Sequence, residues 1–233
     1  MCKKCRISML ATRFNNVCQQ SLKTLQLQGC NRSLRQDLEP VFKLASEITL
    51  EDIGSREKFK PKNSLVSYYP IVSEREYEMG VFVVPPGGKI PLHDHPDMCV
   101  ISKVLSGEMR MISMDWDREN EKEPLRQIDG TKRAVVKENR VLVPGEMDIL
   151  LPDHHNLHEI RACDKTGAVF LDILTPKYSS DEGRECQHYE IQDDYTNCNN
   201  KRHRQHRMQT VSPVIEKCVG DKVNLVSIPQ PVY

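Results

Sequence analysis

Residues 80–115 read GVFVVPPGGKIPLHDHPDMCVISKVLSGEMRMISMD, and this stretch decides the fold. Its apolar runs GVFVV, MCVISKVL and EMRMISM are of strand length and are separated by a Pro-Gly-Gly turn and by Gly107, the pattern of short β-strands joined by tight turns. His93 and His95 stand at its centre. An extended reading puts both imidazoles on one face, where two nitrogen ligands would converge. Taken alone, a His-x-His pair is equally an ordinary polar feature of a strand edge, so the spacing around it has to carry the argument.

Gly87, five residues, His93, one residue, His95 and then Gly107 reproduce the spacing of the first cupin motif, a metal-binding hairpin of small jelly-roll barrels. In the general form of that motif an acidic ligand follows; here its position is Val100, which points to an all-histidine site. The wording PLHDHPDM followed by KVLSGEMRM resembles the cysteamine (2-aminoethanethiol) dioxygenase and plant cysteine oxidase family of cupin thiol dioxygenases. The resemblance covers roughly residues 36–190 and implies an all-β fold, a cupin double-stranded β-helix.

Outward from this centre the β pattern continues. SLVSYYPIV, RAVV, NRVLV, DILLP, LHEIRA and AVFLDIL are further short runs bounded by Pro, Gly, Asp or Asn, as in a barrel or sandwich. Before them, Pro40 suits a first helical turn, with Val41, Phe42, Ala45 and Ile48 at helical spacing. Thr49 and Asp52 predict a second helix start that Gly54 ends. The last stretch, VNLVSIPQPVY, predicts one closing strand. The expected organisation is a basic extension over 1–36, a cupin domain over 37–190 with short helices at its start, and a polar loop with a C-terminal strand over 191–233.

A third ligand must come from a distant strand, and LPDHHNLHEIRA offers His154, His155 and His158. With Pro152-Asp153 as a turn, His158 falls on the following strand, sharing a face with Asn156 and Ile160. Five residues separate Pro152 from His158, one more than the second cupin motif has. The family's similar Asn-Leu-His step supports His158 and leaves His154 and His155 as loop residues near the mouth. Three neutral imidazoles suit several transition metals. The resemblance implies mononuclear Fe(2+), one per chain, held by His93, His95 and His158.

Asp172 is the one polar residue in AVFLDIL and must be paired or hydrogen-bonded if buried. It reads either as a structural carboxylate or as the group that meets a substrate ammonium or its water. The family's Leu-Asp-Ile-Leu-x-Pro-x-Tyr run is matched by residues 171–178, and through it Asp172 and Tyr178 inherit a part in activity. Gly183-Arg184-Glu185-Cys186 resembles the family's Gly-Arg-Asp-Cys, which places Cys186 near the iron, as pocket wall or participant. In some animal members that cysteine is joined to a tyrosine two residues on; here His188 holds that position and Tyr189 follows it.

The resemblance implies a dioxygenase that adds both atoms of O2 to the sulfur of cysteamine or of a protein's N-terminal cysteine, giving a sulfinic acid. By analogy it also implies oxygen sensing through degradation of such proteins. The reading from another class is a metal-free or zinc-bound cupin acting as a ligand-binding or interaction module. Lys plus Arg and Asp plus Glu both total 33, so no global field invites nucleic acid or a membrane surface. The basic knot Lys201, Arg202, Arg204 and Arg207 lacks interleaved aromatics and reads as a solvated loop.

The nine cysteines are odd in number and irregularly spaced, which suits free thiols in a reducing compartment. A cytoplasmic monomer is therefore expected, with no membrane partner. Residues 1–36 carry seven Lys or Arg and no acid, which keeps a mitochondrial presequence as the alternative location. Removal of Met1 would expose Cys2 as an N-terminal cysteine on the chain itself.

Overall fold

The computed structural model describes residues 38–54, 57–61, 64–75, 77–117, 131–163, 165–192 and 217–230. The basic extension, the body of the charged loop after Asp117 and the basic knot fall outside these residues. Two short helices precede the strands: α1 (Glu39–Glu47), with Pro40 in its first turn, and α2 (Leu50–Ile53). Asp52 accepts from both the backbone N–H and the hydroxyl of Thr49, at 2.9 and 2.8 Å, the capping box expected from that pair.

Eleven strands follow among the described residues: β1 (Ser67–Ser73), β2 (Glu78–Val84), β3 (Lys89–His93), β4 (Cys99–Gly107), β5 (Met109–Trp116), β6 (Thr131–Leu142), β7 (Met147–Leu150), β8 (Leu157–Ala162), β9 (Ala168–Thr175), β10 (His188–Gln192) and β11 (Lys222–Ile228). They form a five-stranded sheet in the order β1-β2-β9-β4-β7. The other six run β10-β11-β6-β5-β8-β3, closed by the His188–His93 pair. The pairings are antiparallel. This is the cupin double-stranded β-helix, as the motif spacing predicted.

Side-chain alternation assigns the faces of the five-stranded sheet. Met79, Val81 and Val83 of β2, Cys99 and Ile101 of β4 and Leu171 and Ile173 of β9 pack with Leu38, Val41, Leu44 and Ala45 of the helical segment in one core. Lys103 sits on that same face. Its buried ammonium donates to the carbonyls of Ala45, Ser46 and Ile48 at 3.3, 2.6 and 2.7 Å, closing the C-terminus of α1. The opposite face, with Phe170, Asp172 and Ser102, looks into the barrel.

The fold changes one local reading, adds one strand and places another. RAVV and NRVLV are one twelve-residue strand, β6, because Glu138 and Asn139 stay paired to Ser113 and Ile112 of β5 while Lys137 takes up a shift of register. β10 carries no long apolar run, and only its pairing with β11 and β3 reveals it. The closing strand expected near the end is present, and it lies inside the second sheet between β10 and β6.

Candidate metal centre

His93 is the last residue of β3, and His95 lies beyond the strand. The two rings nonetheless meet, with centroids 4.8 Å apart. Extended alternation is therefore not what converges them. The chain turns after His95, with the Met98 N–H donating to the His95 carbonyl at 3.1 Å and Asp97 left-handed at φ 54°. Asn156 grips the turn: its Oδ1 accepts the His95 N–H at 3.1 Å and its Nδ2 donates to the His95 carbonyl at 2.8 Å.

Asp94, between the two histidines, points the other way and anchors the loop. Its Oδ1 accepts the Gln187 N–H at 2.9 Å and its Oδ2 accepts the Tyr189 hydroxyl at 2.7 Å. That bond and the packing of Tyr189 on Trp116 assign Tyr189 to the face of β10 opposite His188.

His158 enters from β8, directly opposite His93 in the strand register. Its Nε2 lies 3.0 Å from Nε2 of His95 and 3.1 Å from Nε2 of His93. All three residues are buried. Burial pushes their basicity down, His93 to about 4 and the other two well below the ordinary imidazole value, so each ring is neutral near pH 7.

The tautomers follow from the partners. His93 Nδ1 is 2.8 Å from the Pro91 carbonyl, which only accepts, so Nδ1 carries the proton and Nε2 keeps its lone pair. The Tyr178 hydroxyl donates to the Asp94 carbonyl at 2.9 Å, which leaves its oxygen to accept from His95 Nδ1 at 2.7 Å. Two inward lone pairs and a third ring nitrogen thus crowd one point. A cation satisfies all three at once, so the residues present fit a metal ion, and these three histidines form the group among the described residues that could hold one. Val100, where a carboxylate ligand would stand, is buried among Met98, Leu150 and Leu174.

The centre opens into a cavity of about 340 Å³. Asp172, Tyr178 and Cys186 all line it, so the structure brings together every site residue expected from sequence. Asp172 accepts the Ser102 hydroxyl at 2.6 Å. Burial raises its carboxyl to about 7 against the Ser102 bond, which pulls it down. Tyr178 stacks on His95. Burial raises the Cys186 thiol to about 11, against the neighbouring Tyr178 hydroxyl, which pulls it down.

His154 and His155 do not line this cavity. They stack on each other, His154 facing Asp115 at 3.9 Å and His155 facing Glu138 at 3.5 Å. His155 is left-handed at φ 58°, in the segment that leads into β8. A second cavity, also about 340 Å³, borders Asp115 and holds none of the three ligand histidines.

Sequence reasoning missed five contributors. Asn156 and Asp94 act through distant partners. His188 stacks beside His93 at 5.7 Å, and was visible only as the residue standing where relatives have tyrosine. Glu78 and Tyr68 line the cavity from strands read only as apolar runs. An acid heading the otherwise apolar run EMGVFVV was the available signal.

Fold and site define a cupin with an all-histidine candidate metal centre. The PCO_ADO family model matches residues 33–230, and the chain belongs to that family. It is 33% identical to plant cysteine oxidase 2 of Arabidopsis thaliana over 66% of this chain and 57% of that one. To the 2-aminoethanethiol dioxygenase of Homo sapiens it is 30% identical, over 67% of this chain and 66% of that one. The chain thus spans little more than half to about two thirds of these relatives' length. A solved cupin superfamily protein from Desulfitobacterium hafniense overlaps 51% of this chain and 84% of its own, at 14% identity and TM-score 0.36.

Proposed function

We propose that the protein is an iron(II)-dependent thiol dioxygenase that converts the thiol of an N-terminal cysteine, or of cysteamine, to a sulfinic acid. The observation that carries this is the meeting of three buried, neutral imidazoles at one point, a group that includes no carboxylate among the described residues. Such a donor set leaves a divalent ion its full charge and open positions for an anionic thiolate. Iron(II) there would supply the redox centre at which sulfur and dioxygen combine.

The chain's own residues do the rest. Tyr178 holds His95 in the tautomer that presents Nε2. Ile90, Ile160, Leu174 and Phe82 line the cavity with apolar surface and exclude water around the sulfur. Asp172, poised near neutrality and fixed by Ser102, exchanges a proton with the substrate's amine or its water. The cavity's 340 Å³ exceeds the roughly 120 Å³ that cysteamine's four heavy atoms fill at a water-like ~30 Å³ each, leaving room for a peptide.

Oxygen sensing follows if the N-terminal cysteine product marks proteins for turnover; the location proposed is the cytoplasm. Mass spectrometry of a peptide beginning Cys-Gly, incubated in air with iron(II)-loaded protein, tests the activity. A gain of two oxygen atoms that His158→Ala abolishes is expected. Absence of oxidation by iron-loaded protein, with peptide and with cysteamine, would return the chain to a binding-module role.

A further inference from the structure

Two carboxylates line the histidine cavity, and they are differently committed. Asp172 is buried at 4% exposure and bonded to Ser102. Glu78, at the start of β2, is only partly buried. The Tyr68 hydroxyl donates to its Oε1 at 2.5 Å, and a carboxylate has a second oxygen, Oε2, able to accept a further donor.

The backbone is shaped for this pair. Tyr68 pairs with Phe82 across β1 and β2, yet its ring leans along the strand over Gly80, where any Cβ would come within 2.2 Å of the ring. Only glycine admits that path. Gly80 pairs in turn with Asp172 on β9, and burial together with the fields of Glu78 and Asp172 holds the Tyr68 phenol well above its usual range. Tyr68 is thereby fixed as a donor. Phe82, tilted on Tyr68 at 4.7 Å and stacked on Phe170 at 5.2 Å, closes the wall behind it.

Resting on the thiol-dioxygenase reading, we propose that Glu78, oriented by Tyr68, receives the substrate's ammonium group and makes a free amine beside the thiol the condition for binding. Glu78 is then a specificity determinant that touches substrate, and Tyr68 is a positioning residue. A thiol whose neighbouring nitrogen is acylated leaves the carboxylate without a counter-charge and binds weakly.

Anaerobic titration of the iron(II)-loaded full chain with a Cys-Gly peptide and with its N-acetylated counterpart tests this by binding, apart from turnover. Wild type is expected to prefer the free amine; Glu78→Gln loses roughly ten- to a hundred-fold for that peptide and nothing for the acetylated one. Tyr68→Phe, which keeps the carboxylate but frees its rotamer, is expected to lose part of the preference and serves if the first variant does not fold. Iron content and melting temperature should match wild type in both. A preference for the free amine that persists unchanged in both variants overturns the assignment. Wild type that oxidises the peptide in air while the variants keep their preference overturns only the amine site. Preference lost in Glu78→Gln, with no oxidation by wild type, sustains the amine site and overturns the dioxygenase reading.

Discussion

Asn156 bonds to both the N–H and the carbonyl of His95, residues 61 positions apart, and so ties the ligand-bearing turn after β3 to the segment that leads into β8. Its Nδ2 also donates to Leu151 at 3.1 Å. One side chain thus sets the distance between two metal ligands. Asn156→Leu should leave the fold's strands in place and weaken metal binding about 10- to 100-fold, read by chelator competition. Unchanged affinity would mean that the turn holds its shape without the amide.

Tyr178 controls His95 in another way, through the ring nitrogen turned away from the centre. In Tyr178→Phe the stacking remains and the hydroxyl is lost, so His95 is free to take the wrong tautomer. Metal affinity or turnover should fall about 10- to 100-fold, with little change in melting temperature of the metal-free chain.

Burial raises Asp172 to about 7, so the folded chain keeps a proton that the unfolded chain has released above its usual carboxylate value. The unfolded state then binds fewer protons between roughly pH 4 and 7, and stability falls as pH rises through that window. Relative to Asp172→Asn, metal-free wild type should lose about 1.4 kcal/mol per pH unit there, measured by denaturant unfolding at a series of pH values. Parallel curves for the two proteins would show that Asp172 is not the proton's site.

Lys103 is a structural cation. It lies on the helix-facing side of β4, bonds three carbonyls at the end of α1, and is drawn below its usual basicity by burial while Asp52 opposes that shift. Lys103→Met removes the donor and leaves those carbonyls buried, at a cost of about 2 kcal/mol in unfolding free energy. The metal centre, on the other face of the sheet, should be unaffected.

Metal removal should lower stability by mass action, since the three-histidine point exists only in the folded chain. At free iron(II) a hundredfold above Kd the difference is about 2.7 kcal/mol, seen as a melting shift on anaerobic addition of iron. His93→Ala should abolish the shift.

The three histidines, Asp172, Tyr178 and Cys186, which line one cavity, were all legible in the chain, because turn residues and histidine spacing are local and the family's runs are matched over them. So were the capping box at Thr49 and most of the strands, whose period-2 alternation is written in the apolar residues themselves. The route to the site was less legible. His93 and His95 meet through a turn outside the strand, and no spacing rule says that Asn156 or Asp94 will hold that turn.

The strand repertoire and the residue types that can bind a metal are thus written locally in the chain, since side-chain periodicity and ligand chemistry act over a few residues. That β10 and β11 complete the second sheet, that His188 stands beside His93, and that Glu78, Tyr68 and Asp172 share one wall emerges only once the chain is folded. These are cross-strand contacts between distant segments. Pairing register sets them, and register is settled by the whole sheet burying one face at once.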